Sequence, residues 1–289
     1  MRIESKYPVP SGGWIHGLNG DPLPEVVRPE KPVRSPINIA TWTRRAVTFF
    51  KHPKADRARA YLAKELGVDS SQLRALRVGL GFDDKYRQWF WSFPHRNHEG
   101  EFVGITRRWC NPVVHDGIAK GKMAMAKSYP GLFYADWFQY AYGPIFVPEG
   151  ASDVAALASI SLGGVGRPSN TGGIMEVHKM LSEETQPIVV LGENDEDATR
   201  RGRPRMPCTT ECQGCLNCFP GKYGAIKAAK ELAKLRQGVV YWSMPPDGEK
   251  DVRSWRNNQQ GDWFDFMQGV RRNQETNQGG YATAQGEVT

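Results

Sequence analysis

Two short apolar runs, each ending in a carboxylate, limit this chain more than any other feature: IFVP leads straight into Glu149, and PIVVLG leads into Glu193. Such runs, rich in Val and Ile and bounded by Gly or Pro, read as buried strands of a parallel sheet. The helix-like SDVAALASISL follows the first run, and GKYGAIKAAKELAKLRQG precedes a further apolar run, VVYWSM. Strands alternating with helices predict an α/β fold, a Rossmann-like parallel sheet with helices on both faces. In open sheets of this kind chemistry collects at the carboxyl ends of the strands. Glu149, Glu193 and Asp195 stand there, and Asp153 lies near the start of the helix after Glu149. Residues two apart in an extended segment share a face, so Glu193 and Asp195 are suited to hold one hard cation together. Taken singly, each reads first as a solvated strand-end carboxylate or a helix cap, and only the combination points to a metal site.

The rest of the chain divides by texture. Residues 1–36 form a Pro/Gly-rich N-terminal arm without sustained periodicity. Residues 37–142 predict a smaller α+β subdomain. Two amphipathic helices on either side of Pro53 carry Trp42, Ala46, Phe49 and Phe50, then Ala58, Tyr61, Leu62 and Leu66. Short strands follow in YRQWFWSFP and EFVGITRRW, joined by the turn-forming HRNHEG, and the subdomain ends in a Lys- and Gly-containing loop, KGKMAMAKSYPGLFY. For Trp89, Phe90 and Trp91 the alternation favours core packing over stacking on bases. Residues 143–256 make up the α/β part. Residues 257–289 read as a polar, partly disordered tail in which WFDFMQGV forms a helical turn or two.

Charge follows the same division: residues 1–142 hold 22 Lys/Arg against 13 Asp/Glu, and residues 143–289 hold 16 against 18. A basic half joined to a slightly acidic half suits a polyanion-binding surface beside a metal site. No stretch approaches the roughly 18 consecutive apolar residues of a membrane helix, and the N-terminus lacks a signal-peptide core, so a cytoplasmic location without a membrane partner is expected.

Cys208, Cys212, Cys215 and Cys218 crowd into one short segment. Four thiols there offer the count and softness of a tetrahedral zinc site, with an iron–sulfur cluster or unligated thiols as alternatives. Zinc would pin the insertion at 198–221, which also holds the basic run RRGRPR.

The order EGASDVAAL, GGVGRPSN, VVLGENDED resembles the Toprim family, whose pattern is a strand-ending Glu in an E-G-x-x-D-x-x-A-L context followed by a strand-ending D-x-D. The resemblance implies that Glu149 acts as general acid/base or metal ligand, with Mg²⁺ or Mn²⁺ as cofactor. It also implies that Glu193 and Asp195 fill the D-x-D positions, although Asp195 and Asp197 would restore the usual residues in a register two positions later. PPDGEKDVRSW is similar to the end of Toprim domains in phage and plasmid primases, where a Lys–Asp pair closes the site; Lys250 and Asp251 match it. Upstream, AYLAKELGV, LRVGLGF, FWSFPHRNHEGEFVGITRRW and the Lys-rich loop ending in PGLFY resemble the front of the primase catalytic core, especially in phage primase-helicases.

That resemblance implies synthesis of short RNA from rNTPs on single-stranded DNA, with Arg107, Arg108, Lys122 and Lys127 as candidates for gripping phosphates. GGWIHGL is similar to the sequence after a primase zinc ribbon, yet no Cys precedes it, and no G-x-x-x-x-G-K-[ST] loop is present. A ribbon and a replicative helicase are therefore expected as separate partners. A Toprim nuclease and a catalytically weak DNA-binding accessory protein are the alternatives; a topoisomerase lacks an assignable Tyr nucleophile.

Overall fold

Asn38 opens the first helix: its side chain accepts a hydrogen bond from the Thr41 N–H at 2.9 Å and caps α1 (Ile39–Phe50). The computed structural model describes residues 36–141, 143–194, 219–246, 248–259, 263–275 and 279–285. Trp42 and Ala46, one helical turn apart, form the buried stripe of α1. Beyond Pro53, α2 (Ala55–Leu66) buries Leu62, Ala63 and Leu66 and stops at Gly67, whose φ of 68° closes the helix. A short α3 (Ser70–Ala75) leads into an antiparallel sheet of β1 (Gly79–Asp83), β2 (Gln88–Arg96), β3 (Phe102–His115) and β4 (Ile118–Ala124), in that order. The expected turn joins β2 to β3, with the Asn97 N–H donating to the Glu101 carbonyl at 3.0 Å. The Lys- and Gly-containing segment differs from its reading as a loop. Its first part is β4, which the long β3 recruits as an edge strand, and exposed lysines between small residues conceal its alternation in the sequence.

The second sheet holds β5 (Ile145–Val147), β6 (Ile188–Leu191), β7 (Val240–Ser243) and β8 (Gly279–Ala282) in that order. The first three strands are parallel, as the sequence predicts, and β8 runs antiparallel. Side chains alternate between the faces. Ile145, Val147, Ile188, Val190, Val240 and Trp242 pack with α5 (Ile174–Met180) and α6 (Pro220–Arg236), whereas Phe146, Val189 and Leu191 meet Val252 and Trp255 of α7 (Val252–Gln259) and Phe266 and Val270 of α8 (Trp263–Glu275). Helices thus cover both faces. The sheet also extends past the point where the sequence reading began a polar tail. A backbone-paired strand with two glycines, Gly279 and Gly280, carries no apolar period to read, and the Gln/Asn-rich composition masks α8.

α4 (Ala151–Ala158) bridges the two sheets. Ala151, Val154, Ala155 and Ala156 share a core with Leu62 and Leu73 of α2 and α3 and with Trp91 and Phe93 of β2. Leu132 and Phe133 complete the junction by pairing with Arg96 on one side and Gly166 on the other. From α7, the Asn257 amide donates to the Leu66 carbonyl at 2.8 Å and fits over Gly67 so closely that a Cβ there would collide with it.

Candidate active site

Glu149 follows β5 after Pro148, and Gly150, at φ 84°, turns the chain into α4. Asp153, in the first turn of α4, is 1% exposed, and its Oδ1 accepts the Arg253 backbone N–H at 3.2 Å. Asp251 caps α7: its Oδ1 accepts the Ser254 N–H at 2.8 Å while the Asp251 N–H donates to Ser254 Oγ at 3.1 Å. The Arg253 guanidinium lies 3.4 Å from the Asp251 carboxylate.

Glu193 leaves β6 in a loop held on two sides. Its neighbour Asn194 donates through Nδ2 to the carbonyls of Pro245, Pro246 and Glu249, and through its backbone to the Lys250 carbonyl. On the other side α6 presents Gly221, where a Cβ would collide with the Glu193 carbonyl. A glycine is required at that approach for steric reasons alone.

Electrostatics join these groups. Burial pushes the Asp153 carboxyl well above the usual carboxylate range, and the charges of Asp251 and Glu193 add to the shift. Lys122 of β4 keeps an exposed surface but is partly enclosed by protein. That burial, with Arg108 beside it, lowers its pKa, and the charges of Asp153 and Glu193 partly restore it. Burial likewise lowers Arg167, opposed by Glu149 and Glu193. Glu193 is common to all three groups, so its charge reaches Asp153 and Arg167 near the second sheet and Lys122 of the first. A cavity of about 350 Å³ is walled by His95, Thr106, Lys122, Met123, Tyr129 and Pro168.

The other candidates differ in where they point. Arg107 points to the opposite face of β3, ion-paired with Asp83 and 4.9 Å above the Trp109 ring. Arg108 shares the face of Lys122, its partner in the β3–β4 register, and pairs with Glu65 at 2.8 Å. Lys127 is exposed at φ 64° in the loop after β4, and Lys250 is exposed beside Asp251. Phe90 and Trp91 are both buried, on opposite faces of β2 and in separate clusters, in keeping with core packing, whereas Trp89, read the same way, is 40% exposed near the start of the strand. Asp195, Asp197 and the four clustered cysteines lie outside the described residues.

Sequence reasoning missed Arg167, Arg253, Asn194 and His95. Only Arg167 carried a signal, its place in the GGVGRPSN segment. The described candidate ligands are all hard oxygen donors, and the crowding of Asp153 by Asp251 and Glu193 is what a divalent cation would relieve. Among the described residues, no three His, Cys, Asp or Glu side chains converge closely enough to hold a metal ion. Among the same residues, no helix is long and apolar enough to cross a membrane.

No protein-family model matches the chain, and no curated protein matches it significantly by sequence. Solved structures do. The chain is similar to the E. coli primase catalytic core, with 13% identity and a TM-score of 0.54 over 81% of this chain and 79% of that one. It is similar to the DnaG primase catalytic domain bound to ssDNA, with 14% identity and a TM-score of 0.54 over 81% and 78%. A DNA primase domain from Pseudomonas aeruginosa matches with 14% identity and a TM-score of 0.52 over 81% and 78%. With its two sheets in this order and helices on both faces of the second, the chain has the Toprim-containing fold of primase catalytic cores.

Proposed function

We propose that this chain is a primase-like, metal-dependent nucleotidyltransferase that makes short RNA from rNTPs on single-stranded DNA. The reading is supported by the placement of Glu149 and Glu193 just past two parallel strands, with Asp153 in electrostatic range of Glu193 and Asp251, and Lys122 in range of Asp153 and Glu193. Glu149, Glu193 and Asp195 are the proposed ligands of Mg²⁺ or Mn²⁺, with Asp153, Asp197 and Asp251 around them. A bound divalent cation would neutralise triphosphate charge and assist in-line attack by a 3′-hydroxyl. Lys122 and Arg108 would hold phosphates as the strand crosses the edge of β4, and Glu149 would hold or accept a proton beside the reacting oxygens. The four clustered thiols are proposed as a zinc clip on the insertion between β6 and α6. Single-stranded DNA and rNTPs are the proposed partners.

A mixed-sequence single-stranded DNA template with labelled rNTPs and Mg²⁺ or Mn²⁺ tests this reading. Short oligoribonucleotides that require both rNTP and metal are the expected product. Template cleavage without NTPs would move the assignment to a nuclease. Binding alone would favour an accessory role, a second reading supported by the buried charge of Arg167 beside the carboxylates.

Lys122 makes a separate prediction. If it contacts one phosphate, Lys122→Ala should reduce the slope of log affinity against log salt by about 0.7 for single-stranded DNA. Filter binding at several salt concentrations measures this. An unchanged slope would remove Lys122 from phosphate recognition.

A further inference from the structure

Arg167 lies where a surface residue would be expected, in a loop between two glycine-rich turns, yet it is 1% exposed. The segment from Gly164 to Arg167 runs parallel to β5, with Gly164 beside Phe146 and Arg167 beside Glu149. Backbone bonds fix that placement: the Arg167 N–H donates to Pro148 and the Gly150 N–H donates to Arg167, each at 2.9 Å. The side chain then reaches past β5 to the end of β6, where Nη2 donates to the Leu191 carbonyl at 3.4 Å, while Nη1 donates to the Asn170 carbonyl. Nε has no hydrogen-bond partner among the described residues.

Two carbonyls satisfy two N–H groups, but they do not neutralise a charge removed from water. A buried guanidinium needs an opposite charge near it. The strand ends that Arg167 spans are those that carry Glu149 and Glu193, and these two carboxylates are the charges that favour its ionised form. The mounting is rigid. Asn170 Nδ2 donates to the Pro220 carbonyl at the start of α6 at 2.6 Å, and Gly221 of that helix rests against the Glu193 backbone. Direct contacts thus link Arg167, Asn170, the first turn of α6 and Glu193.

We propose that Arg167 is a resident counter-cation of the carboxylate site, a positioning residue that compensates Glu149 and Glu193 without metal and lowers the affinity of the site for divalent cations. This role rests on the metal-dependent reading above and adds a residue to it. A fixed positive charge beside two ligands holds them at the strand ends, and it opposes an incoming cation by Coulomb repulsion.

The full chain, stripped of divalent ions, is titrated with Mn²⁺, following free Mn²⁺ by its spin-resonance signal and stability by thermal melting. Arg167→Met should bind Mn²⁺ about tenfold more tightly than wild type, since one fixed charge is lost nearby, and should gain more melting temperature on saturation. Arg167→Lys should respond to Mn²⁺ as wild type does. Arg59→Met removes an equally buried arginine paired with Asp56 on α2 and should melt earlier without any change in Mn²⁺ affinity. Equal or weaker Mn²⁺ binding by Arg167→Met overturns the counter-cation role and leaves the metal reading standing. No Mn²⁺ response in any form overturns both. Should Arg167→Met fail to fold, Glu149→Gln and Glu193→Gln decide the matter. If the carboxylates compensate Arg167, each substitution lowers the melting temperature of the stripped protein. If they are only crowded like charges, each raises it, and the proposal is wrong.

Discussion

Glu193→Gln is expected to cut rNTP-dependent product by roughly two to three orders of magnitude, the scale of losing several kcal/mol of charge stabilisation at a reacting phosphate. The reason is position. Glu193 acts electrostatically on Asp153, Lys122 and Arg167, and no other described carboxylate reaches all three. Its backbone is clamped between Gly221 and the Asn194 amide, so the shorter reach of a neighbouring group cannot replace it by a small shift. Glutamine keeps the shape, which separates loss of charge from loss of fold. Single-turnover synthesis at saturating metal, beside a melting curve, reads both. Product within about threefold of wild type would remove Glu193 from the site and favour the register that begins at Asp195. Glu149→Gln should behave like Glu193→Gln, because Glu149 ends the adjacent strand and lies beside the same arginine.

The parallel sheet was legible because its strands are buried on both faces, so Ile145–Val147 and Ile188–Leu191 are apolar without interruption. The carboxylates were legible for the same reason, since a strand that is wholly apolar ends abruptly at its first charge. β4 and β8 were not legible. Each draws its stability from backbone pairing with a longer or more central neighbour, which leaves no requirement on side-chain pattern. The cations of the site divide in the same way. Lys122 was a candidate because it lies in the Lys-rich segment that ends in PGLFY. Arg253 was overlooked because it acts through its backbone N–H on Asp153, 100 residues away in sequence, and no local pattern encodes that contact. Arg107 shows the converse. Its neighbour Arg108 shares the face of Lys122, and the alternation of a strand sends Arg107 to the other side, where Asp83 receives it.

His95 gives the second large effect, this time on stability. Its ring is buried at the floor of the cavity, where Nδ1 accepts the Gly131 N–H at 3.0 Å, so Nε2 carries the proton and donates to Thr106 Oγ1 at 2.7 Å. A second proton on Nδ1 would face an N–H donor. Burial lowers the pKa from 6.5 to about 4. In the unfolded chain the ring gains its proton near the ordinary value, so between those two pH values the unfolded state binds more protons and stability falls as pH falls. By pH 4 this single group should cost about 3 kcal/mol relative to pH 7. Paired carboxylates such as Asp56 and Asp136 also lose stability in acid, so the contribution of His95 is read as a difference between two proteins. His95→Gln stays neutral throughout and keeps an amide donor and acceptor in the pocket. Urea unfolding at pH 7 and at pH 4 should show wild type losing about 3 kcal/mol more than the variant. Parallel losses would mean that the ring takes up its second proton in the folded state, which requires the Gly131–His95–Thr106 chain to open. That chain ties β2 and β3 to the turn leading into Leu132 and Phe133, so its opening would also loosen the junction that brings Lys122 over the carboxylates.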